Sequence, residues 1–212
     1  MARYLKGILG PFVGLVGTVV GASWKGIQVM RSRPVKSGDN PSEAQQRQRA
    51  IFTLVVQFLR PITDVLNTGF QAYNKELTPF NAAFAANMEA VTGVYPALTI
   101  NYAQVMIAKG NLLALPAITA RSAVQDQFNF NWVNNASPDS SNGTDMISFL
   151  AYNPAKQVFA RALRVVTRQA MSYSMDLPAG WTDDVVHVWS FGTNAAGKVS
   201  SDSRYLGSDV IS

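Results

Sequence analysis

The chain has 212 residues, 48% of them apolar and 15% charged, so it can bury a substantial core and is not a candidate for intrinsic disorder. It has no cysteine, which excludes disulfides, thiolate nucleophiles, iron–sulfur clusters and cysteine-based zinc sites. The net charge of +5 is uneven: residues 1–60 carry nine Lys or Arg against two acids, residues 61–212 nine against eleven. Charge this sparse, against the roughly 25% usual in soluble domains, leaves a surface of Ser, Asn, Gln, Thr and small apolar groups that suits coverage by a partner.

Residues 7–24 hold no charge between Lys6 and Lys25. A membrane span or a signal peptide cleaved near Gly21-Ala22-Ser23 fits superficially. Eighteen residues is the short limit for a span, and Pro11 with glycines at 7, 10, 14, 17 and 21 makes a poor helix. The expectation is a retained, Gly-interrupted extended arm to about Arg33, within a Gly-rich basic segment 1–38.

A helical subregion, 39–95, follows. Asn40 as N-cap, Pro41 in the first turn and Glu43 completing a capping box predict a helix start. Ile51, Leu54, Val55, Phe58 and Leu59 then form one apolar stripe, with Arg47 and Arg49 off it. Pro61 interrupts, and Ile62, Val65, Leu66 and Phe70 continue helical spacing. A last helix starts at Thr78-Pro79, presents Phe80, Ala83, Phe84, Met88 and Val91, and is expected to stop at Gly93.

From residue 96 the period changes to two. Alternation predicts strands at 99–106, 128–132, 171–177 and 185–191, separated by turn signals such as Asn142-Gly143 and Asn153-Pro154. Residues 96–212 therefore read as an antiparallel β-sandwich-like domain, and the fold class as α+β. The expected core anchors are Phe128, Phe130, Trp132, Tyr173 and Trp189 in the β-domain and Phe58, Phe80 and Phe84 among the helices.

Three segments, GTVVGASWKGIQVMRSRP (Gly17–Pro34), NPSEAQQRQRAIF (Asn40–Phe52) and SSDSRYLG (Ser200–Gly207), together resemble an uncharacterised Bacteroidetes family known only as a domain of unknown function. The resemblance implies the domain order over essentially the whole chain. It implies no activity, cofactor or catalytic residue.

The remaining motifs fall short of chemistry. Gly192 to Lys198 fits seven positions of a phosphate-binding loop, but Val199 stands where Ser or Thr should bind magnesium, and a hairpin turn is the plainer reading. His187 is the only histidine and shares a strand face with Val185, Trp189 and Phe191, where a packed or hydrogen-bonded role is expected. Asp183-Asp184 and the loop Asp139 to Asp145 lack calcium-site spacing, since Gly143 comes one position early, and read as solvated turns. No cofactor and no small-molecule substrate is expected.

The leading expectation is a non-enzymatic structural protein that self-assembles, as a filament or shell, through its arm, with Gly14, Gly17, Gly21, Trp24 and Gly26 at the contact. Lys25, Arg31, Arg33, Lys36, Arg47 and Arg49 form a basic set that would meet an acidic face of a neighbouring copy. The same set beside Trp24 supports the alternative of a nucleic-acid-binding or packaging component. A membrane-associated or secreted binding module is a further alternative. The compartment is not readable from the sequence.

Overall fold

The computed structural model describes residues 3–4, 7, 10–35, 40–73, 77–116, 118–124, 126–137 and 141–211. The chain divides into two compact units, Met1–Ser42 and Glu43–Ser212.

The first unit is an antiparallel meander of β1 (Arg3–Tyr4), β2 (Phe12–Val16), β3 (Val19–Trp24) and β4 (Ile27–Ser32), in that order across the sheet. The extended reading is thus correct locally, but tight turns fold the segment back on itself. Gly17, at φ 57°, holds the first position of the two-residue turn between β2 and β3. Lys25 and Gly26, at φ 47° and 84°, make the β3–β4 turn, the doubly left-handed kind whose twist matches the flanking strands. Gly21 is the one described residue of this unit that is buried. A Cβ there would run into the carbonyl oxygen and ring of Phe12.

The second unit has three layers. Its helices are α1 (Glu43–Leu59), α2 (Thr63–Gly69), joined to it by a 3-10 turn at Arg60–Ile62, and α3 (Pro79–Asn87). The expected stripe is real: Ile51, Val55, Phe58 and Leu59 are buried, with Leu54 packed beside them. Pro61 sits in the 3-10 turn, as a residue without an N–H should. The helix starts at Glu43, so Asn40 and Pro41 lie outside it. Thr78 does cap α3, its hydroxyl accepting from the Asn81 N–H at 3.2 Å. The expected run to Gly93 is corrected: α3 ends at Asn87, a 3-10 turn carries on to Ala90, and Gly93 belongs to the hairpin β5 (Val91–Val94) and β6 (Ala97–Ile100). The strand expected at 99–106 is also corrected. After Ile100 the Asn101 side chain accepts from the Ala103 N–H and starts a 3-10 turn at Tyr102–Gln104.

Seven strands make the sandwich: β7 (Thr119–Val124), β8 (Gln127–Asn131), β9 (Met146–Asn153), β10 (Val158–Thr167), β11 (Ser172–Asp176), β12 (Val185–Thr193) and β13 (Arg204–Val210). One sheet is ordered β10-β9-β12-β13, the other β11-β8-β7, all pairs antiparallel. The α+β class with an antiparallel sandwich-like domain therefore holds.

Between the sheets lie Phe128 and Phe130 of β8, Ile147 and Phe149 of β9, and Val186 and Val188 of β12. Phe130 and Phe149 stack with centroids 4.0 Å apart. The opposite face of the four-stranded sheet is covered as well. Leu150, Tyr152, Trp189 and Phe191 share a core with the helices. Trp189 consequently anchors the helical layer, not the inter-sheet core, because alternation along β12 sends Val186 and Val188 one way and Trp189 the other. Phe80 and Phe84 are only partly buried; Phe84 packs on Phe52 at 4.9 Å.

Candidate functional site

In the first unit the strand register decides what faces outward. Trp24 lies opposite Ile27, Ala22 opposite Val29, and Val20 opposite both Arg31 and Leu15. Cross-strand partners in an antiparallel sheet point to the same side, so these residues form a single apolar face with Arg31 at its margin. That face is open: Trp24 is 56% exposed and Ile27 66%. On the other side Met30, opposite Gly21, is 68% exposed. Every residue of the edge strand β4 is exposed.

The expected assembly residues take distinct places. Trp24 is on the open face, Gly17, Lys25 and Gly26 form turns, and Gly14 and Gly21 lie opposite each other in β2 and β3. Of the basic set, Arg31 is in β4 and Arg33 follows it, its N–H donating to the Thr18 carbonyl at 2.7 Å. Arg47 and Arg49 are exposed on α1 in the second unit, and Lys36 lies outside the described residues. The whole formal charge belongs to the first unit, which has six Lys or Arg against one acid, while the second has twelve of each.

The second unit holds a groove of about 580 Å³ on the helix-covered side of the sandwich. Its lining includes the buried Phe58 of α1 and Tyr152, the half-buried Tyr102 and Phe159, and the exposed Gln57 and Gln157. The rings interlock, with Phe58 edge-on to Tyr152 at 5.1 Å and to Phe159 at 5.2 Å. Burial, reinforced by the neighbouring Tyr102, pushes the Tyr152 hydroxyl up to about 12. Tyr102 is raised as well, by burial.

His187 lies behind this groove, 4.2 Å from the Tyr102 ring, with Nδ1 2.7 Å from the Tyr205 hydroxyl. Burial lowers its pKa. It is a packed, hydrogen-bonded residue, as its strand face implies. The phosphate-loop-like segment is a connection between β12 and β13. Asn194 Oδ1 accepts from the N–H groups of Lys198 and Val199 at 2.8 and 3.2 Å, which occupies donors a phosphate would need.

The carboxylates divide. Asp184 pairs with Lys156 and accepts from Asn153, and these hydrogen bonds hold it below the usual range. Asp145 corrects the solvated-turn expectation: it is buried and 3.4 Å from the fully buried Arg168 guanidinium. Arg168 also donates to Asn135 Oδ1 at 2.6 Å and to the Leu113 carbonyl at 2.7 Å, tying two loops to the end of β10. Nothing in the local sequence marks Arg168 as buried, since its partners come from positions 113, 135 and 145. Among the described residues no group of three His, Cys, Asp or Glu converges to hold a metal ion.

Residues 11–207 match the model of a family of unknown function, DUF6266. The chain belongs to that family. The DUF6266 match runs from β2 into β13 and so takes in both units. No curated protein matches the chain.

Proposed function

We propose that this DUF6266 chain is a non-enzymatic structural protein that self-assembles into a repetitive particle through its N-terminal meander, copy to copy. One observation carries the reading: the first unit presents a three-stranded apolar face and an exposed edge strand while burying a single described residue. An exposed, contiguous apolar face on a small sheet marks an interaction surface, and an unpaired edge is a template for another strand. A second copy of the meander supplies both the missing apolar layer and the missing ladder.

The size of the face favours more than an isolated pair. At about 4.8 Å between strands and about 3.3 Å per residue, it spans a few hundred Å², short of the roughly 800 Å² per partner of a standard stable interface. Repetition along an array compensates through avidity. The basic charge of the unit opposes close stacking at low salt unless acidic side chains of a neighbour face it, and the second unit contains twelve.

The absence of cysteine makes the test clean. Val29→Cys, in the middle of β4, should give a covalent dimer on mild oxidation of the full chain, whereas Val165→Cys, exposed on the second unit, should remain monomeric on a denaturing gel. Equal, low cross-linking of both variants contradicts the proposal. The same basic, Trp24-bearing unit is the observation behind a nucleic-acid-packaging reading, for which salt-sensitive retention of copurifying nucleic acid is the discriminating result.

A further inference from the structure

The aromatic groove of the second unit is untouched by the assembly reading, and its chemistry is specific. Its volume of about 580 Å³ falls within the range of small-ligand sites. Four rings line it, those of Phe58 and Tyr152 buried and those of Tyr102 and Phe159 half-buried. The two amides at its rim, Gln57 and Gln157, are exposed and make no hydrogen bond within the described residues. We infer that this groove binds a neutral carbohydrate.

Two observations lead to that ligand class. Two cations at the border, Arg161 and Lys156, are already paired. Arg161 contacts Asp64 at 2.8 Å while donating to the Pro61 carbonyl of the groove wall, and Lys156, beside Gln157, pairs with Asp184. Neither pair offers a free counter-ion to a charged ligand. The amides each offer two donors and an acceptor, which matches hydroxyl groups that both donate and accept. A proline-rich peptide, with carbonyl acceptors and few donors, would leave the amide oxygens unmatched. Finally, Gln157 holds a left-handed backbone at φ 56°, a conformation that costs a non-glycine residue energy. A glycine there would relax the β9–β10 turn, so Gln157→Gly removes the amide without straining the backbone. Sugar C–H faces would stack on the half-buried rings of Tyr102 and Phe159, and the amides would fix orientation.

The test is titration of the full-length chain with maltohexaose, cellohexaose and chitohexaose, read by calorimetry and by tryptophan fluorescence, since Trp189 lies 6.4 Å from Tyr102. Polygalacturonate and a proline decamer serve as comparators. Binding of at least one neutral oligosaccharide is expected, weakened about tenfold or more by Gln157→Gly, a change worth about 1.4 kcal/mol at the amide. The same variant should melt at an unchanged or higher temperature, which separates loss of the amide from loss of the fold. Gln57→Ala, also at an exposed position, should weaken binding without altering the melting temperature. The proposal is overturned if none of the three neutral sugars binds, if polygalacturonate or the proline decamer binds more tightly, or if Gln157→Gly and Gln57→Ala both leave affinity unchanged.

Discussion

The two units use apolar residues in opposite ways. In residues 43–212 the sheet β10-β9-β12-β13 is covered on both faces, and β9 is buried at seven of its eight positions. In residues 1–42 strands of similar apolar content leave Trp24, Ile27 and Met30 more than half exposed. Charge follows the same division, the first unit holding all of the excess. Apolar composition therefore does not report burial. What matters is whether a unit covers its own sheet with a second layer, as the helices and the β11-β8-β7 sheet do within residues 43–212.

Paired substitutions sharpen that contrast. The largest effect is expected from tryptophan to alanine in each unit. Trp132 is 5% exposed and its indole N–H donates to the Arg168 carbonyl at 2.8 Å. Trp132→Ala should cost about 3–5 kcal/mol in urea denaturation, whereas Trp24→Ala should cost less than about 0.5 kcal/mol in the same assay. Comparable losses at the two sites, measured at dilutions where the chain is monomeric, would mean that the first unit has a core of its own.

Next in size is the buried ion pair. Asp145→Ala leaves the Arg168 guanidinium without its carboxylate among the loops at the end of β10, and should cost about 3 kcal/mol. Full retention of the urea midpoint would show that Asn135 and the Leu113 carbonyl suffice to hold that cation.

Gly21→Val breaks the comparison from the other side. Its side chain would meet the Phe12 carbonyl and ring, so the meander cannot close as it is. Association should be lost while the urea midpoint of the second unit moves by less than about 0.5 kcal/mol in free energy. A matching drop in both would couple the units energetically.

The smallest effect concerns pH. Burial holds the His187 imidazole below its ordinary value, so between the folded and unfolded pKa values the unfolded chain binds the proton more readily. The stability this provides is complete above about pH 6.5. It is lost as pH falls through that value toward the lower folded pKa. His187→Asn should flatten the decline in melting temperature between pH 7 and pH 5; a profile parallel to that of the unsubstituted chain removes His187 as its source.

The strands legible in the sequence are those with unlike faces. In β8, Phe128 and Phe130 alternate with Asn129 and Asn131, because the first pair faces the other sheet and the second faces out. β11 and β12 were readable for similar reasons, although the side of the sheet on which Trp189 lies was not, since two apolar layers compete for it. Met146–Asn153, by contrast, reads as a continuous run, MISFLAYN, with no period to detect, and it is a buried inner strand of the four-stranded sheet of the second unit. The extended character of the arm followed from its glycines, and the positions of the turns explain why it pairs with itself. Neither the groove nor the Arg168 site could be read locally. Phe58, Tyr102, Tyr152 and Phe159 come from four separate elements, and the Arg168 partners are 23 to 55 positions away in sequence.

Molar mass tests the proposed cover of the first unit by another copy. Light scattering on the purified full-length chain, in low and then moderate salt, should give a mass of many subunits that collapses toward the monomer when Trp24, Ile27 and Val29 are all replaced by Asp. A stable mass of 23 kDa for the unsubstituted chain across that salt range would contradict the account.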